Sequence, residues 1–122
     1  MEEIKVGEYA RTEEGEIFKV IEEEVDFYNF QIKKLNPKEI FNPIVKHSFN
    51  IIDLIELGDY VNGNKIIRID KDPFIKGQIN LWIGLYEMDS NGDRWRIKYT
   101  NNEIKSIVTK ELMKSVEYRL ED

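Results

Sequence analysis

The stretch N-I-I-D-L-I-E-L-G-D-Y-V-N-G-N-K-I-I-R-I, Asn50 to Ile69, decides the fold. A short apolar lead-in runs into Gly58-Asp59. A strand starts at Tyr60, Asn62-Gly63-Asn64 turns the chain, and a second apolar strand follows to Ile69. An acid after glycine can accept from nearby backbone N–H groups in a turn. Asn-Gly between apolar runs is the strongest short hairpin signal. The same order of residues occurs near the start: Ile4-Lys5-Val6-Gly7-Glu8-Tyr9-Ala10, a turn at Thr12 to Gly15, then Ile17-Phe18-Lys19-Val20-Ile21. Both copies read apolar-x-apolar-Gly-acid-Tyr-small apolar, turn, apolar strand.

Working outward, Glu22-Glu23-Glu24 reads as a solvated strand end or turn. Val25 to Lys33 mixes aromatics and Ile at a period of two, which predicts a strand. Asn36-Pro37 and Asn42-Pro43 bracket a loop, because residues before proline leave the helical region. Ile44-Val45-Lys46 is a short strand, and Ser48 or Asn50 caps one helical turn over Ile51–Ile55 with Ile51, Leu54 and Ile55 facing inward. Residues 70–77 form a loop. Gln78–Glu87 and Arg94–Thr100 pair through Ser90-Asn91-Gly92-Asp93, with Gly84 marking close packing or a bulge. Asn101-Asn102 is a turn and Ile104–Val108 a strand. Thr109 caps a short helix over Lys110–Met113, and Val116–Leu120 alternates as a last strand. The fold class expected is all-β: one domain over 1–122, a small SH3-like barrel or two fused half-barrels built from the repeated Gly-acid-Tyr hairpin, with one or two short helical turns.

The chain has 122 residues, 41% hydrophobic and 11% aromatic, which suits one globular core. It has no cysteine, so disulfides, thiolate metal sites and cysteine nucleophiles are excluded. Cysteine-free composition fits a reducing cytoplasm, and Met1-Glu2-Glu3-Ile4-Lys5 carries no apolar leader. No apolar run reaches the length of a membrane span. A net charge of −6 opposes general binding of nucleic acid through its phosphates; it keeps a small protein soluble and permits docking onto a basic partner. The charge is uneven. Acids crowd the first 26 residues, whereas Arg94, Arg96, Lys98, Lys105, Lys110 and Lys114 gather late.

Catalytic patterns are missing: no phosphate loop, no H-E-x-x-H and no G-x-S-x-G. His47 adjoins Ser48, but neighbours on a strand point to opposite faces, so His47 reads as a turn cap or a partner for a backbone carbonyl. Asp89-x-Asn91-Gly92-Asp93 lacks the distal glutamate and the length of a calcium loop and reads as hairpin chemistry. No catalytic residue, metal ligand or cofactor is therefore expected. The candidate binding residues are Trp82, Tyr86 and Trp95 on the predicted hairpin, for stacking or gripping a partner, and the acidic Glu22, Glu23 and Glu24. Core packing is the competing role for the aromatics.

The segments I-V-K-H-S-F-N-I-I-D-L-I-E-L-G-D-Y-V-N-G (44–63) and I-K-S-I-V-T-K-E (104–111) resemble a family of small uncharacterised proteins encoded by phages and prophages of Gram-positive bacteria with AT-rich genomes. The resemblance covers the central hairpin and the C-terminal strand–turn, under a quarter of the chain by those motif lengths. It brings no known fold, activity or site residues. It implies a mobile-element setting, and hence a non-enzymatic protein in the host cytoplasm that inhibits CRISPR or another nuclease-based defence by direct protein contact. Two other functions fit the same residues: a barrel that sequesters a small ligand or nucleotide, and an assembly module that forms homo-oligomers.

Overall fold

A computed structural model of the protein describes residues 1–116, and at Tyr86, Trp95, Asn101, Ser115 and Val116 it describes the backbone alone. The chain divides into two compact units, Met1–Leu54 and Ile55–Asp122. The described strands form two antiparallel open sheets. The protein is mostly β, with few helices.

The first unit contains β1 (Tyr9–Thr12), β2 (Ile17–Lys19), α1 (Glu22–Lys34) and β3 (Ile44–Ser48), in the sheet order β2-β1-β3. The second contains β4 (Tyr60–Val61), β5 (Asn64–Lys71), β6 (Ile79–Met88), β7 (Arg94–Tyr99), β8 (Ile107–Val108) and α2 (Lys110–Val116), in the order β7-β6-β5-β4-β8. In each unit the strand begun by the tyrosine pairs with its hairpin partner on one side and with a later, returning strand on the other.

The repeat extends to individual bonds. The Glu8 N–H donates to the Lys5 carbonyl and the Asp59 N–H to the Glu56 carbonyl, each at 3.1 Å. Gly7 has φ 90° and Gly58 φ 91°, so both sit at the third position of a type II turn, where a left-handed backbone is required. The Gly7 and Gly58 N–H groups donate to the Val20 and Ile66 carbonyls at 2.9 Å, and Val20 and Ile66 return bonds of 2.8 Å to the Glu8 and Asp59 carbonyls. Tyr9 stands opposite Lys19, and Tyr60 opposite Lys65. Ile4, Ala10 and Val20 are buried in one unit, and Ile55, Val61 and Ile66 in the other. Asn62 and Gly63 both have positive φ, which matches the twist of the two-residue Asn-Gly hairpin.

The segment expected as a strand over Val25–Lys33 is a helix, and Glu22-Glu23-Glu24 form its first turn instead of a strand end. Val25, Tyr28 and Ile32 pack on Ile4, Ala10 and Val20. With buried Asn29 they occupy i, i+3, i+4 and i+7, one helical face. Asn29 reads as polar in sequence but holds a core position. Its Oδ1 accepts from the Ile4 N–H at 2.8 Å and its Nδ2 donates to the Ile4 carbonyl at 3.0 Å, in the manner of a sheet rung. Phe27 and Phe30 lie on the opposite side, and their presence created the false two-residue period. Acids in the first turn and Lys33-Lys34 in the last complement the helix dipole. The helix stops at Leu35, before Asn36-Pro37.

Other expectations hold with adjustments. Ile51–Leu54 is a 3-10 turn that buries Ile52 and Leu54 and leaves Asp53 exposed, so Ile52 takes the inward place expected of Ile51. Residues 70 and 71 still belong to β5. Lys110–Val116 is helical as the Thr109 cap suggested, though longer than expected. Beyond Val116, which ends that helix, the strand expected over 116–120 lies outside the described residues.

An L-residue at either turn glycine is strained. A Cβ at Gly7 would meet Phe49 at 3.7 Å and one at Gly58 would meet Lys110 at 3.7 Å, both ordinary contacts, so the cost lies in the backbone. Gly7→Ala and Gly58→Ala should each lose about 1–2 kcal/mol of unfolding free energy in urea titrations. Gly84→Ala, where φ is not positive and the Cβ position is open, should lose nothing. Equal effects at all three positions would refute the turn assignment.

Candidate functional site

In the first unit, Glu22 and Glu23 are exposed on the opening turn of α1, and Asp26 follows on the same helix. Glu24 is half-buried and accepts a 3.3 Å hydrogen bond from the Tyr28 hydroxyl. Burial first, and then the Glu24 charge, push the Tyr28 hydroxyl above its ordinary pKa. Phe27 is 59% exposed and Phe30 56% exposed. They are neighbours at i, i+3 on the face opposite Val25, Tyr28 and Ile32, and neither packs on the buried core, although the Phe27 ring meets Tyr28 edge-on with centroids 5.6 Å apart. The structure thus sets Glu22 and Glu23 beside two solvent-facing aromatics that sequence reading assigned to a strand. A helical period at Val25, Tyr28 and Ile32 was the signal that could have placed them.

In the second unit, Arg68 pairs with Trp82 and Trp82 with Lys98, which forms a row across β5, β6 and β7. The opposite side of the sheet carries buried Ile66, Leu81 and Ile83. Trp82 is half-buried. Its indole N–H donates to Asp70 at 3.0 Å, and the Lys98 ammonium lies 5.5 Å from the ring centroid, within cation–π range. Asp70 also pairs with the Arg68 guanidinium at 2.9 Å. Next to the row, the chain after β5 folds back on Asp72. This carboxylate accepts from the Phe74 and Ile75 N–H groups, each at 2.9 Å, and from the Asn80 and Gln78 amides at 3.2 and 3.3 Å, with Lys98 at 3.9 Å. The Phe74 N–H bond, the Asn80 amide and the Ile75 N–H hold its pKa below the ordinary carboxylate value. An open groove of about 480 Å³ runs between Trp82, Lys98, Asp72 and the exposed Phe74.

Of the hairpin residues singled out in sequence, Trp82 lies in this groove. Tyr86 pairs with Arg96 and Trp95 with Glu87, while their side chains lie outside the described part of the structure. The register shifts between Trp82 and Tyr86, as expected near Gly84, and the bulge leaves Leu85 exposed although it shares sequence parity with Leu81 and Ile83. Arg68 and Asp72 were not singled out in the sequence, and Asp70, which flanks the central hairpin, reads there as a turn or cap acid. The bulge at Ile66/Arg68 sets the register of Arg68 and Asp70 against Trp82 and Asn80, and local pattern does not encode it.

The remaining candidate chemistry resolves into structural bonds. His47 Nδ1 lies 3.0 Å from both Glu8 oxygens and its Nε2 3.0 Å from the Glu2 carbonyl, so the ring does bond a backbone carbonyl. The Ser48 hydroxyl donates instead to Asp53 at 2.6 Å. Asp89 Oδ1 accepts from the Asn91 and Asp93 N–H groups at 2.9 and 2.8 Å, which is turn chemistry. Among the described residues no group of three or more His, Asp or Glu side chains is placed to hold a metal ion, and no helix is long and apolar enough to cross a membrane.

No protein-family model matches the sequence, and neither curated proteins nor solved structures gave a match.

The Asp72 geometry carries a pH dependence. A carboxylate whose folded pKa is depressed stabilises the fold fully above its unfolded pKa, about 3.9, and loses that stabilisation as pH falls through the folded value. Wild type should therefore melt above Asp72→Asn at pH 6. The difference should start to shrink as pH falls below about 4 and close only below the depressed folded value. A difference that stays constant over this range would contradict the assignment.

Proposed function

We propose that the protein is a non-enzymatic binding protein that docks the outer face of α1 onto a basic, nucleic-acid-binding protein, a nuclease of a host defence system such as CRISPR. The observation that carries this reading is the exposed pair Phe27 and Phe30, one turn apart on a helix whose core contacts they do not share. Aromatic anchors of this kind supply most of the energy in small interfaces. The acids around them supply complementarity to a basic groove: residues 1–54 hold twelve acidic and seven basic side chains. The resemblance to phage and prophage proteins supplies the setting. The SH3-like reading of each three-stranded module belongs with this proposal and rests on the hairpin and its returning strand, not on ring closure.

The test pairs binding with protection. In bacteria carrying an active CRISPR nuclease, the wild-type protein should rescue a targeted plasmid and should bind the purified nuclease. Phe27→Ser with Phe30→Ser removes two exposed rings and the edge contact of Phe27 with Tyr28, so the variant should melt within a few degrees of wild type. It should nonetheless bind about 100-fold more weakly and lose protection. A folded double variant as protective as wild type, or a wild type that neither protects nor binds, would overturn the reading.

A further inference from the structure

We propose that the outer face of β5, β6 and β7 is a binding site for single-stranded nucleic acid. The inference does not rest on the α1 docking face. The net charge of −6 argued against such a ligand, but it averages over a surface on which acids and bases are segregated. On this face the carboxylates turn inward and the cations outward. Asp72 has an 8% exposed side chain and is bonded to the backbone of its own loop. Asp70 is occupied by Arg68 and the Trp82 indole. Above them the side chains of Arg68 and Lys98 are 65% and 42% exposed. Lys71, exposed at the groove's edge, alternates with Asp70 and so belongs to the other side of the sheet.

Along β7 the row continues. Lys98, Arg96 and Arg94 follow at two-residue steps and so share one side of a strand, about 7 Å apart. Arg94 and Arg96 are exposed. A line of cations at even spacing can track an extended phosphate backbone. The aromatic component is also present. Asp70 fixes the orientation of the Trp82 indole, and Phe74, 92% exposed at the lip of the groove, offers a second ring. Stacking on such rings needs unpaired bases, which favours a single strand over a duplex. An acidic protein segment would use the cations and the rings as well; the even two-residue spacing of Arg94, Arg96 and Lys98 along one strand is what favours a phosphate backbone.

The test uses the full chain and a fluorescein-labelled fifteen-nucleotide oligothymidylate, read by polarisation, with the matching duplex and a poly-glutamate peptide as competitors. The single strand should bind at low salt, more tightly than the duplex. Its affinity should fall between 50 and 200 mM salt with a log–log slope of about −2 to −3, at roughly 0.7 per neutralised phosphate. Trp82→Ala should weaken binding roughly ten-fold or more, and Arg94→Glu with Lys98→Glu should abolish it. Should the double variant fail to fold, Arg96→Gln in the same row should still weaken binding and reduce the salt slope. No salt-dependent binding, binding unchanged by the folded variants, or displacement by poly-glutamate with no preference for the oligonucleotide would each overturn the proposal.

Discussion

A buried carboxylate that closes a type II turn holds the structure together, and the chain builds it twice. Glu8 and Asp59 are 7% and 0% exposed. A carboxylate that deep is tolerated only when its oxygens are bonded. Glu8 accepts from the Lys5 N–H and Asp59 from the Glu56 N–H, each at 2.7 Å, which locks the turn that precedes the tyrosine. Each then reaches beyond its turn. The longer Glu8 side chain meets the His47 ring on β3, while the shorter Asp59 accepts from the Lys110 N–H that opens α2, at 2.9 Å. A single group thus joins the start of the hairpin to the strand that returns beside it or to the helix that follows.

With the scaffold fixed in this way, the variable part of each unit lies between the hairpin and the returning strand. In the first unit that insertion is α1; in the second it is the extension of β5 into β6 and β7. Both proposed faces lie on the insertions and their supporting strand, and the repeated turns carry neither. The faces also differ in charge. Glu22, Glu23 and Asp26 border Phe27 and Phe30 on one, and Arg68, Lys98, Arg96 and Arg94 border Trp82 on the other. The net charge of the chain describes neither face.

Much of the scaffold was legible in sequence because its determinants are local. Gly-acid-Tyr and Asn-Gly each demand a particular backbone, and both signals fold as written. The helix α1 was not legible for two physical reasons. Its core face includes Asn29, whose burial depends on a backbone partner 25 residues away. Its outer face carries Phe27 and Phe30, which by propensity alone suggest a strand. The Trp82 row was half legible. The hairpin and a bulge near Gly84 could be read, but the pairing of Trp82 with Arg68 and Lys98 depends on register shifts in both neighbouring ladders. The carboxylates of Asp70 and Asp72 read as loop acids until their partners were placed.

The most direct measurement is equilibrium unfolding of Glu8→Ala and Asp59→Ala beside wild type. If the buried carboxylate is the shared anchor, each variant leaves part-buried donors without their acceptor and loses about 2–4 kcal/mol. Those donors are the Lys5 N–H and His47 ring in one and the Glu56 and Lys110 N–H groups in the other. A loss below about 0.5 kcal/mol at either position would show that the turn is held by something else and that the duplication is one of sequence without a common physical role.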